Sequence, residues 1–169
     1  NVTPFELIPW ILGSCADINE AKKLIGKLNI VNISFSDKLP LSPLHWIISD
    51  KNGSLTLEST KEGLKIYDNP WGVLSNNPPF DYQMTYLSNF MGLSNEQMSN
   101  QLMPQIDVKP YSRGMGGFGL PGDLSSQSRF VRAAFVKLNA RSGDTEEESV
   151  NQFFHILGSV EQVRGCCEV

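Results

Sequence analysis

The chain has 169 residues, 14 Lys and Arg against 18 Asp and Glu, a formal net charge of -4 and 40% hydrophobic residues, a balance that supports a globular domain and excludes a disordered or fibrous chain. The acidic balance, with no Lys/Arg run, excludes the basic footprint that holds nucleic acid, and no apolar stretch approaches the roughly 20 residues that a membrane-spanning helix needs. Three cysteines, Cys15, Cys166 and Cys167, are too few for a disulfide framework and predict a reducing, cytoplasmic setting.

In chain order, Thr3-Pro4-Phe5-Glu6 is a capping-box signal and predicts a short helix to about residue 11. Asp17-Ile18-Asn19-Glu20 repeats the start signal before Ala21, Leu24, Ile25 and Leu28, which share one helical face. Residues 29–35 alternate and are rich in β-branched side chains, and strand-length runs follow at 44–49, 54–60, 64–68 and 72–76. Asp50-Lys51-Asn52-Gly53 has hairpin chemistry, so these runs predict an antiparallel meander. After Pro78-Pro79, the residues Phe80, Met84, Leu87 and Met91 recur at helical spacing, with Gly92 as the stop. Residues 94–110 are polar with two prolines and read as a long excursion. Residues 125–139 predict a helix burying Val131, Ala134, Phe135 and Leu138, and residues 144–157 another, opened by acidic residues that suit the positive end of its dipole. Helices, then strands, then helices predict an α+β fold layered on an antiparallel sheet.

Gly114-Met115-Gly116-Gly117-Phe118-Gly119 satisfies G-x-G-x-x-G, but Lys109-Pro110-Tyr111 precedes it and Leu120-Pro121-Gly122-Asp123 separates it from the next helix. A nucleotide fingerprint needs a strand before it and a helix directly after it, so the glycines predict unusual backbone angles or close packing instead. His45 and His155 lie in apolar stretches and read as core or boundary residues; with Cys166 and Cys167 adjacent, no zinc spacing forms and no metal is expected. Arg129 falls in the first turn of a helix, where a cation opposes the dipole, so something outside the helix is expected to compensate it. Asn76 closes a predicted strand before Asn77-Pro78-Pro79, at a sheet edge where an amide can donate to a developing oxyanion.

Three stretches, Asn69-Pro70-Trp71-Gly72-Val73-Leu74-Ser75-Asn76-Asn77-Pro78, Phe80-Asp81-Tyr82-Gln83 and Tyr111-Ser112-Arg113-Gly114-Met115-Gly116-Gly117, together resemble the bile salt hydrolases of the choloylglycine hydrolase family. Leu120-Pro121-Gly122-Asp123-Leu124-Ser125-Ser126, Ser128-Arg129-Phe130-Val131-Arg132-Ala133, Leu39-Pro40-Leu41-Ser42-Pro43-Leu44-His45-Trp46 and Phe153-Phe154-His155-Ile156-Leu157-Gly158 extend the resemblance over essentially the whole chain. It implies an N-terminal nucleophile hydrolase: a partial αββα sandwich of antiparallel sheets between helical layers, acting without a cofactor on the amide bond of glycine- or taurine-conjugated bile salts in the bacterial cytoplasm. The sister activity, penicillin V acylase, is the alternative; a remnant that binds apolar ligands or a partner chain is a third reading.

In the resembled family the nucleophile is a Cys at the amino terminus whose own α-amine is the base. Asn76 matches the family's oxyanion-hole Asn, and Arg129 matches the Arg beside the nucleophile that favours its thiolate. These are the two candidate catalytic residues, expected to converge on one cleft about a substrate's width apart. Asn1 stands at the first position and Cys15 lies inside the resembled middle portion, so no nucleophile is expected in this chain. The resemblance therefore implies a single incomplete domain over residues 1–169, a fragment without the nucleophile segment and the last strands, inactive alone. Residues 90–122 resemble the arm through which the family builds homotetramers, with Leu102, Met103 and Ile106 as its apolar contact.

Overall fold

The computed structural model describes residues 1–167; the chain divides into two compact units, the first Asn1–Leu74 and the second beginning at Ser75. In the first, helices α1 (Leu7–Ser14) and α2 (Ile18–Ile25) cover one face of an antiparallel sheet of three strands, β1 (His45–Asp50), β2 (Gly53–Thr60) and β3 (Gly63–Asp68), ordered β1-β2-β3. Leu7, Ile11, Ala21, Ile25 and Leu57 form the core of this unit, with Trp46, Ile48, Leu64 and Ile66 packed against it from the same sheet face. Fully burying one such aliphatic side chain contributes about 1.5–3 kcal/mol, so this layer is what holds the unit together. The period-2 pattern places Trp46 opposite Leu57 and Leu57 opposite Ile66, the register that brings all three to the helical side.

Local chemistry sets the boundaries. The Asp17 carboxylate accepts from Asn19 N at 2.8 Å and Glu20 N at 2.9 Å as the cap of α2. Asp50, at the end of β1, accepts from Ile18 N at 2.9 Å and Asn52 N at 2.6 Å, joining the hairpin to the start of α2, and these main-chain donors hold its carboxyl below the usual range.

Three expectations for this unit are corrected. The Glu6 carboxylate does accept from Thr3 N, but residues 4–6 form a turn and α1 begins only at Leu7. Residues 29–35 are not a strand: a single bridge joins Val2 and Ile30, and Ile33 and Phe35 are exposed, because among the described residues no neighbouring strand meets the rest of the segment. Nor is there a strand at 72–76. The Asn69 side chain donates to Val73 O at 2.8 Å and accepts from Gly72 N at 2.9 Å, and Gly72 takes φ +58°, so the chain turns there.

In the second unit, α3 (Phe80–Leu87), continued by a 3-10 turn at Ser88–Phe90, packs on α4 (Ser126–Asn139), which contacts α5 (Glu146–Gly158). Phe80 and Phe130 meet edge to face, centroids 6.0 Å apart, and both are buried with Val131 and Ala134. Thr145 and Glu148 form a capping box at the start of α5. Leu138 is exposed rather than buried, since α4 ends one residue later, and His155 is exposed because none of the residues of α5 is buried. The glycine-rich stretch packs as its sequence context predicts: Gly114 has φ +81°, and a Cβ on Gly116 would lie 2.0 Å from Glu96 O. Ser94 N donates to Gly116 O at 2.9 Å and Gln97 Nε2 to Ser112 O at 2.8 Å, closing the base of the excursion.

Candidate active site

Asn76 lies in the second unit on an irregular segment rather than at a strand end. Its Oδ1 accepts from Arg129 Nη2 at 2.9 Å. The two expected site residues are thus brought together, in direct contact rather than a substrate's width apart. This contact fixes the amide's orientation, because a guanidinium only donates and the atom facing it must be the oxygen. Asn76 Nδ2 then has no hydrogen-bond partner among the described residues and, the residue being exposed, is left as a free double donor.

Arg129 is the fourth residue of α4 and is half-buried. Its Nε donates to Leu124 O at 3.2 Å, so the guanidinium is gripped at two edges while Nη1 remains uncommitted. It forms no ion pair among the described residues, so its charge remains available to an incoming anion. The expected compensation at the helix start is Asp123. The hydroxyls of Ser125 and Ser128 and the main-chain N–H of Ser125 hold its carboxyl down to about 2, which keeps an anion in front of the positive end of α4. The Ser125 hydroxyl also caps α4 by accepting from Ser128 N at 3.3 Å.

The side chains of Arg132 and Gln162 hold this loop by its carbonyls. Arg132 Nη1 donates to Pro121 O at 2.8 Å and Asp123 O at 2.6 Å, and its Nε to Ser159 O at 3.1 Å beyond α5. Gln162 Nε2 meets Leu124 O at 3.2 Å. Neither Arg132 nor Gln162 carries a local sequence signal of this role, although Arg132 lies inside a stretch that carries the resemblance.

Of the three thiols, Cys15 is half-buried, and burial, then the charges of Glu20 and Asp17, push it up, the opposite of an activated nucleophile. Cys166 and Cys167 are exposed and form no disulfide. Among the described residues no His, Cys, Asp or Glu cluster suits a metal ion, and no helix is long and apolar enough to cross a membrane. What the site offers is a preoriented amide donor beside a guanidinium, a pair able to stabilise developing negative charge.

The family model of the linear amide C-N hydrolases, choloylglycine hydrolase family, matches residues 1–169. The chain belongs to this family. A bile salt hydrolase/transferase of Lactiplantibacillus plantarum is 64% identical over all 169 residues, which are 52% of that protein. One of Clostridium perfringens is 36% identical over 166 residues, 98% of this chain and 50% of that protein. The chain spans about half the length of the curated relatives it matches. A crystal structure of a variant conjugated bile acid hydrolase from Clostridium perfringens aligns with TM-score 0.84 at 36% identity, covering 100% of this chain and 52% of that one. Penicillin V acylase from Agrobacterium tumefaciens aligns with TM-score 0.71 at 20% identity over 98% of this chain and 44% of its own, a likeness of fold alone. The fold is α+β, of the N-terminal nucleophile hydrolase type shared by these proteins.

Proposed function

We propose that this chain carries the charge-stabilising half of a cytoplasmic amidase for glycine- and taurine-conjugated bile salts. The observation that supports it is the Arg129–Asn76 contact, which leaves Nδ2 of a preoriented amide free to donate to the oxyanion of a tetrahedral intermediate. In this reading Arg129 offers its remaining donors to an anionic nucleophile or substrate group. The attacking thiol is none of Cys15, Cys166 and Cys167: the first is deactivated by burial, and none of the three carries a free α-amine to act as base. Residues 1–169 then act as one incomplete catalytic domain. The exposed Leu102, Met103 and Ile106 of the arm are the contact through which the assembled protein forms a homotetramer.

The test is release of glycine from glycocholate and of taurine from taurocholate, by the 169-residue chain alone and by the chain complemented with a polypeptide that begins with the family's nucleophilic Cys. Turnover only in the complemented chain is expected. Turnover by the chain alone refutes the assignment of the nucleophile, and a complemented chain that cleaves penicillin V but neither conjugate moves the substrate to the sister activity.

A further inference from the structure

Gln83 occupies a helix position where an apolar residue would cost least. It is 1% exposed, one turn after Phe80 on α3. Its Nε2 donates to Asn76 O and Pro78 O, both at 3.3 Å, and reaches Ser126 Oγ at 3.4 Å. The two carbonyls fix the amide's orientation, since only its nitrogen donates. Gln83 Oε1 is then buried with no hydrogen-bond partner among the described residues. An unmet buried acceptor opposes folding, so stability alone favours Met or Leu at this place.

The segment that Gln83 touches explains its presence. Residues 75–78 make no main-chain to main-chain hydrogen bond among the described residues, so side chains hold them. Gln83 reaches in from α3. From α4, the Ser126 hydroxyl is bonded to Asn76 O and lies 3.0 Å from Ser75 Oγ. Asn76 is therefore held at its carbonyl by Gln83 and Ser126 and at its side chain by Arg129.

We propose that Gln83 is a positioning residue for the Asn76 amide: it fixes the main chain from which the amide extends, as Arg129 fixes the rotation of the amide itself. The catalytic consequence rests on Asn76 acting as the oxyanion donor; the positioning does not. A donor displaced by about 1 Å loses up to roughly 100-fold in rate, which explains why a buried site retains a half-satisfied Gln.

The variant Gln83→Met keeps the volume, removes the donor and removes the orphaned acceptor. In the 169-residue chain, NMR of the Asn76 side-chain Nδ2 protons is expected to give one sharp pair, which broadens or splits in Q83M while Tm stays within about 3 °C. In the complemented chain, kcat is expected to fall roughly 10- to 100-fold with KM within about twofold, because the interaction matters only in the transition state. An unchanged Asn76 signal overturns the proposal whatever happens to activity. A signal that responds in a protein whose wild type hydrolyses no conjugate upholds the positioning and refutes the amidase reading. Gln83→Glu is the second variant, decisive where Q83M fails to fold. Its carboxylate faces two carbonyls until it is protonated, so the wild-type Asn76 signal should return as pH falls, and a signal indifferent to pH overturns the proposal.

Discussion

Arg129→Lys keeps the charge of the site and removes its fork. The guanidinium spans two acceptors, Leu124 O at 3.2 Å and Asn76 Oδ1 at 2.9 Å, and an ammonium on a flexible stem cannot hold both in the same plane. A hydrogen bond with one charged partner contributes about 1.5–3 kcal/mol. Felt in full in the transition state, that loss lowers kcat roughly 10- to 150-fold. Arg129 is half-buried, so solvent screening moves the expectation toward the lower end, about tenfold. KM for the conjugate should stay within about twofold, since the charge remains. Steady-state release of glycine from glycocholate by the complemented chain measures both quantities. A lysine variant with wild-type kcat would show that the Asn76 amide holds its aim without the guanidinium, and would refute the argument from the 2.9 Å contact.

Gly116→Ala should loosen the arm, because the new Cβ would lie 2.0 Å from Glu96 O and 2.5 Å from Ser94 O; limited proteolysis should cut within residues 94–116 faster than in wild type, and an unchanged cleavage rate contradicts the packing. Asp123 has a folded pKa of about 2 against an ordinary 3.8, so the stability it contributes is complete above the ordinary value and is lost as pH falls toward 2. Tm followed through that window should fall less steeply in Asp123→Asn than in wild type. Cys15 should react with iodoacetamide at pH 8 more slowly than the exposed Cys166, by mass mapping of the labelled peptides; faster labelling of Cys15 contradicts its burial.

Much of this architecture is legible in the sequence where the signal is local. Asp17 caps α2 where its spacing predicts, the hairpin falls at Asp50 to Gly53, and α4 and α5 begin within a few residues of their expected starts. What the sequence conceals depends on neighbours. Residues 29–35 have a strand's alternation but no partner strand among the described residues, and residues 72–76 are turned by Asn69, whose side-chain bonds no periodicity announces. The site shows the same division. Arg129 stands out as a cation in a helix's first turn, and Asn76 follows from the resemblance, but their contact is a fact of packing. Gln83 gave no signal as a polar residue on an otherwise apolar face, because a buried amide and a solvated one read alike in sequence.

Asn76→Asp removes the donor while keeping the shape of the residue. The aspartate retains an oxygen for Arg129 Nη2, replaces Nδ2, the atom proposed to meet the oxyanion, with a second acceptor, and adds a negative charge that also opposes the oxyanion. Removal of one oxyanion donor costs about 100- to 1,000-fold in kcat, so the complemented N76D chain should hydrolyse glycocholate that much more slowly, with KM changed by no more than about threefold. A variant whose kcat stays within about threefold of wild type contradicts the assignment of Asn76 as the charge-stabilising donor, and with it the proposed division of labour in this site.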